Sequence, residues 1–179
     1  MKLIVLDRDG VINRESKDFI RTPDAWQPLP GSLDAIAALS RADWTIAVAT
    51  NQSGVGRGYF SEAVLEEIHA KMRSAVTRGG GELGRVVYCP HLPGSGCPCR
   101  KPQPGLLNQL ATIYSVPTGE MVVVGDSLRD IEAALAVGAR AILVRTGNGQ
   151  EHEAALPPGA EVADDLQAVA RLLAEEAAS

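Results

Sequence analysis

Asp7 and Asp9 stand two residues apart in Asp7-Arg8-Asp9-Gly10, directly after a short apolar run. A carboxylate such as Asp7 can attack phosphorus as a nucleophile, and the resulting acyl phosphate splits one difficult hydrolysis into two easier steps. Its neighbour Asp9 can protonate a departing alkoxide and then take a proton from water. Carboxylates repel a phosphate dianion, so the chemistry calls for a hard divalent cation, and Asp7 with Asp126 offers oxygen ligands for Mg2+. Thr50 and Lys101 are donors for the phosphoryl oxygens on which transition-state charge collects. Asp130, one helical turn after Asp126, is placed to hold a metal-bound water or to orient Lys101. A polar strand end turning at Gly10 would by itself account for Asp7 and Asp9. The argument for catalysis is that Thr50, Lys101 and Asp126 are expected on the same rim.

A second constellation is Cys89-x-His91-x5-Cys97-x-Cys99, which gathers all three cysteines and one of the three histidines. Four soft or borderline ligands on one loop are what tetrahedral zinc takes. Idle thiols would leave the clustering and the interleaved histidine unexplained. All four positions are filled by protein, so the zinc is expected to be structural. Arg100-Lys101-Pro102 follows at once, and an ion bound there would set the register of two cations.

Positioning these groups requires strands that end at one rim. Apolar runs at Leu3 to Leu6, Trp44 to Ala49, Arg85 to Tyr88, Met121 to Val124 and Ala141 to Val144 predict buried strands. Helical patterns lie between them: Leu33 to Leu39 capped by Ser32, a helix opened by Ser61 and stopped by Gly79-Gly80-Gly81, one begun at Pro104, and one from Ser127 to Val137. Asp164 is expected to cap a last helix. Glu151 to Gly159 reads as a surface loop with a solvated His152, and His69 as a partly exposed helix residue. Trp26 and Trp44 read as packing residues. The alternation predicts a doubly wound, Rossmann-like parallel α/β sheet, whose ligands bind beyond the carboxyl ends of the strands. Asp7 and Asp9, then Thr50, Asn51 and Ser53, then the zinc loop, then Gly125-Asp126, all fall just after predicted strands.

Composition narrows the classes. A chain of 179 residues with 45% hydrophobic content and mean hydropathy of +0.00 predicts one domain, residues 1–179, with the zinc loop at 89–99. Aromatic residues make up only 4%, so the core is expected to be aliphatic. A formal charge of −5 with no basic stripe argues against nucleic-acid binding. The odd cysteine count fits a reducing compartment, and no run resembles a signal peptide or a membrane span, so a cytoplasmic protein is expected.

Asp7-Arg-Asp-Gly-Val-Ile-Asn13, Thr50-Asn-Gln-Ser-Gly54, Arg100-Lys-Pro102 and Gly125-Asp-Ser-Leu-Arg-Asp130 resemble the four motifs of the haloacid dehalogenase (HAD) superfamily phosphatases. More narrowly, the chain resembles the D-glycero-D-manno-heptose-1,7-bisphosphate 7-phosphatases and the related histidinol-phosphate phosphatases, a subgroup marked by the zinc loop. The resemblance runs from Met1 to the final helix. It implies a capless fold with Asp7 as nucleophile and Asp9 as acid and base, the Asp9 main-chain carbonyl also reaching Mg2+. Asp126 would complete the metal site, Thr50 and Lys101 would stabilise the phosphoryl group, and Arg100 would meet a second phosphate. Asn51, Gln52 and Ser53, with Glu15, Ser16, Lys17 and Asp18, would line the sugar pocket, and Arg57 could add a charge. Ser127 departs from members that carry Lys there, so no cationic contact is carried over to it.

A planar guanidinium suits a second phosphate and would repel the cationic end of histidinol phosphate, which favours the heptose bisphosphate. Lipopolysaccharide synthesis, the beta anomer and a monomer are the family-level expectations. A signalling receiver, the alternative from another class, would carry its acceptor Asp where Cys89 stands, and Asp9 would be surplus. A non-enzymatic zinc-dependent interaction module would survive Asp7→Asn with every function intact.

Overall fold

The computed structural model describes residues 1–179, and its centre is a six-stranded parallel sheet in the order β3-β2-β1-β4-β5-β6. The strands are β1 (Lys2–Leu6), β2 (Trp44–Asn51), β3 (Val86–Cys89), β4 (Met121–Gly125), β5 (Arg140–Val144) and β6 (Ala160–Ala163). The helices are α1 (Ser32–Arg41), α2 (Ser53–Gly56), α3 (Glu62–Arg78), α4 (Gly105–Tyr114), α5 (Leu128–Ala136), α6 (Gly149–His152) and α7 (Leu166–Ala177).

Side chains alternate across a strand, so an unbroken apolar run must be covered on both faces. In β1, Ile4 and Leu6 join Ile36, Ile68, Met72 and Val169 beneath α1, α3 and α7. Leu3 and Val5 join Leu106, Leu110, Ile131 and Ala134 beneath α4 and α5. Two aliphatic layers therefore clamp a sheet that is almost free of aromatic residues.

The sequence left β6 unseen. Its Ala160-Glu-Val-Ala163 is half-buried throughout and pairs only with β5, so it lacks the apolar run that marks the central strands. The cap of α7 is Asp165, whose carboxylate accepts from Ala168 N at 2.8 Å, while Asp164 instead pairs with Arg145. Ser32 does not cap α1. Gly31, with φ of 79°, takes that position, and the Ser32 hydroxyl bonds to the Ile12 and Leu29 carbonyls. The 151–159 stretch contains helical turns, and His152 caps α5 by accepting from Leu128 N at 2.8 Å. Trp26 is buried as expected.

The order of strands reverses between β1 and β4, which pair directly with Leu6 opposite Val124. Connections leave these two strands toward opposite faces, so a crevice opens beyond their carboxyl ends.

Candidate active site

Asp7 leaves β1 and Asp126 leaves β4, one on each side of that crevice. Asp130 projects back from the first turn of α5, and carboxylate oxygens of the three lie within 4.8 Å of one another. Lys101 answers them. Its ammonium, 4% exposed, lies 2.6 Å from Asp130 Oδ1 and 3.2 Å from Asp7 Oδ1, and it donates to the Ala49 carbonyl at 2.7 Å. Burial works against its charge, but Asp130 and Asp7 outweigh that and hold Lys101 above its ordinary value. Asn51 clasps the same residue's backbone, donating to Lys101 O at 3.1 Å and accepting from Lys101 N at 3.0 Å. Asp130 is held in turn by Ser127, whose amide and hydroxyl both donate to its Oδ2 in a capping box.

One lysine does not balance three carboxylates. Burial and then Asp130 push Asp7 up to about 8. The same two causes, in that order, raise Asp126 to about 7. Asp7 Oδ1 accepts from Arg8 N and Asp126 Oδ2 from Asn148 N, so the second oxygen of each carries no hydrogen bond from the protein. An all-oxygen, charge-deficient pocket of this kind fits a hard divalent cation. Gly10 and Gly147 pack directly on the Asp126 carboxylate, so a Cβ at either would displace it.

Asp9 lies in a different environment. Its Oδ1 accepts from Arg8 Nε at 2.9 Å and Asn13 Nδ2 at 2.9 Å, and its Oδ2 from Gln52 Nε2 at 3.1 Å. Burial would raise it, yet the Arg8 charge and these donors together hold it below the usual carboxylate range. Without a cation the two aspartates are driven apart in the sense opposite to the one the reaction needs, the expected nucleophile Asp7 upward and the expected acid/base Asp9 downward; a divalent cation held at Asp7 would lower it and free it to attack. The buried Thr50 hydroxyl accepts from Gln52 Nε2 at 2.9 Å, which ties it to the same network.

A cleft of about 240 Å³ opens over these groups, lined by Asp7, Asp9, Thr50 and Lys101 at its floor. Glu15, Ser16, Lys17, Asn51, Gln52, Ser53, Arg57 and Arg100 line its walls, and Phe19 and Ile20 are the only apolar residues there. Asp18 is the expected member that the cleft leaves out: it is exposed, and its carbonyl accepts from Arg21 Nε within its own loop. Gln52 is buried with both ends of its amide engaged, so it braces Asp9 and Thr50 more than it faces a ligand. Burial, then the nearby Arg129 charge, hold Arg100 below its ordinary value.

The cysteine loop forms a compact cage. Cys89 Sγ lies 3.7 Å from Cys97 Sγ and 3.3 Å from His91 Nδ1, and His91 Nδ1 lies 3.2 Å from Cys99 Sγ. A tetrahedral ion with metal–sulfur bonds of about 2.3 Å needs ligand separations of about 3.8 Å or slightly less, so the donor set fits zinc. Burial pushes the Cys89 thiol up to about 12, a penalty that a bound cation would reverse.

Four contributors escaped the sequence reading. Asn148 grips Asp126, and Arg129 lines the cleft. Both would have emerged by carrying the strand-end rule on to β5 and by following the first turn of α5. Arg8 and His69 gave no such signal. Arg8 is fully buried and His69, 3% exposed, is no surface residue: the two meet at 3.2 Å beneath the cleft.

The HAD-hyrolase-like family model matches residues 98–169. The D-glycero-beta-D-manno-heptose-1,7-bisphosphate 7-phosphatase of Pseudomonas putida is 54% identical over 97% of this chain and 99% of its own. The enzyme of that name from Bordetella bronchiseptica is 50% identical over 99% of this chain and 100% of its own. The crystal structure of the B. bronchiseptica D,D-heptose 1,7-bisphosphate phosphatase complexed with magnesium and phosphate superposes with a TM-score of 0.95, covering 98% of this chain and 99% of that one. With such likeness along nearly its entire length, the chain belongs to the D-glycero-beta-D-manno-heptose-1,7-bisphosphate 7-phosphatase family of HAD-like hydrolases.

Proposed function

We propose that this chain is a phosphoric monoester hydrolase that removes the 7-phosphate of D-glycero-beta-D-manno-heptose 1,7-bisphosphate in supply of heptose for lipopolysaccharide. The observation that carries the reading is the meeting of Asp7, Lys101 and Asp126 across the crevice between β1 and β4, in a chain about half identical to named heptose-bisphosphate phosphatases.

In the first half-reaction an Asp7 oxygen bonds to phosphorus while the bond from phosphorus to the sugar oxygen breaks. The electron pair leaves with that oxygen, which takes a proton from Asp9. In the second, a water oxygen bonds to phosphorus, its proton passes to Asp9, and the bond to Asp7 breaks to release inorganic phosphate. Thr50 and Lys101 donate to the phosphoryl oxygens throughout, and Asp130 keeps Lys101 in position. Asp7 and Asp126, with the Asp9 main-chain carbonyl, would hold Mg2+, which when bound neutralises charge between carboxylate and phosphate. Cys89, His91, Cys97 and Cys99 would hold a structural Zn2+ that fixes the approach of Arg100 and Lys101.

The second phosphate falls to Arg100, to which Arg57 adds a charge, while Lys17 lines the sugar pocket; all three line the cleft. Glu15, Ser16, Asn51 and Ser53 face the sugar hydroxyls. The chain acts as one domain, residues 1–179, and as a monomer.

The test compares the heptose bisphosphate, fructose bisphosphate and histidinol phosphate under Mg2+. The heptose ester is expected to have the highest kcat/KM, and Asp7→Asn to lower its turnover by about a thousandfold or more. A preference for histidinol phosphate overturns the substrate, and undiminished turnover in Asp7→Asn overturns the mechanism.

A further inference from the structure

We propose that His69 is a positioning residue for this reaction: through the buried Arg8 guanidinium it fixes the Asp9 carboxylate in the orientation from which the leaving oxygen receives its proton. The inference rests on the reading of Asp9 as acid and base.

Each guanidinium nitrogen of Arg8 has an acceptor. Its Nε and NH2 fork onto the two Asp9 oxygens at 2.9 and 3.2 Å, NH2 also reaches Gln52 Oε1 at 3.3 Å, and NH1 faces His69 Nε2 at 3.2 Å. A guanidinium only donates, so His69 Nε2 must be the unprotonated acceptor and the ring neutral. At 0% exposure Arg8 has no water to exchange for that partner, and the remaining groups it touches all lie at the reaction centre. A planar fork held on one side only can pivot, whereas one held at NH1 and at the Asp9 edge cannot.

The position of His69 adds a second argument. It sits on α3 between Ile68 and Met72, both at 0% exposure, so the ring is set by the core. No residue of α3 lines the cleft. If the histidine served packing alone, an apolar side chain would fill the site without the cost of burying an imidazole beside a cation. The structure places it where its acceptor nitrogen completes the Arg8 shell.

The test separates proton delivery from general damage. An alkoxide leaves poorly without a proton, while 4-nitrophenolate leaves readily, so in the first half-reaction loss of Asp9 alignment harms a sugar phosphate far more than an aryl phosphate. His69→Leu is expected to slow the first-turnover release of sugar from the bisphosphate about tenfold or more, with the first-turnover burst of 4-nitrophenolate changed less than about twofold; the second half-reaction, which uses Asp9 as base for both substrates, stays outside the comparison. His69→Gln, whose Oε1 can accept from Arg8, should recover most of the loss. Asp9→Asn, measured alongside, should show the same selectivity to a larger degree. Equal losses on both substrates, or none, in His69→Leu while Asp9→Asn keeps the pattern would overturn the role of His69. Absence of the pattern in Asp9→Asn would sink the reading of Asp9 itself. Should His69→Leu fail to fold, nitrogen NMR of the unaltered protein decides: a proton on His69 Nε2 excludes the contact and the proposal with it.

Discussion

His69 is neutral in the fold for reasons that also touch stability. Burial, then the Arg8 charge, lower it to about 3, with Asp9 opposing and Arg73 adding to the effect. Between that value and the ordinary 6.5, the unfolded chain binds a proton that the folded chain refuses, so stability rises with pH across the interval and levels off above it. Lowering the pH from 6.5 to 5 is therefore expected to cost about 1.5 kcal/mol through this residue alone. Urea unfolding of wild type and His69→Gln at both pH values checks it: the difference between the proteins should shrink on the acid side. This pair was hidden in the sequence because an arginine between two aspartates looks like a spacer. Only packing reveals that it turns inward toward a helix some sixty residues away.

Single elements place whole groups of reacting atoms. The amide end of α5 begins directly after β4, and the capping box that starts the helix is also the bracket that aims Asp130 at Lys101. Gly125 makes this junction close-fitting, since a Cβ there would collide with the Asp130 carboxyl group. Gly125→Ala is thus expected to lower kcat by about a hundredfold while the protein stays folded, because shifting a catalytic group by an ångström has that order of effect. Steady-state kinetics with circular dichroism would check both halves of the statement. The central strands were legible because each is a continuous apolar run, and their ends then pointed to Asp7, Thr50 and Asp126. The edge strand β6 and the true cap Asp165 were not: half-buried Ala-Glu-Val-Ala carries no periodic signal, and adjacent Asp164 and Asp165 are told apart only by the pull of Arg145.

At the scale of the molecule, an overall charge of −5 coexists with a cleft mouth rich in Lys17, Arg57, Arg100 and Arg129. The cysteine cage stands beside that mouth and feeds straight into Arg100 and Lys101. Stripping the cage with a zinc chelator is expected to reduce turnover at least about tenfold and to be reversed by added zinc but not by added magnesium. Elemental analysis of active protein should give one zinc per chain. The clustering of cysteines made this loop readable in one dimension; the grip of Asn51 on Lys101, which joins residues fifty apart in the chain, was not.

The cysteine cage divides the reacting groups along the chain. Asp7, Asp9 and Thr50 come from before the cage, whereas Lys101, Asp126 and Asp130 come from after it. A polypeptide cut near the cage and expressed as two fragments would leave each without a working complement of groups. Any turnover regained on mixing would then report reassembly directly, making this scaffold a natural split reporter whose output is free phosphate.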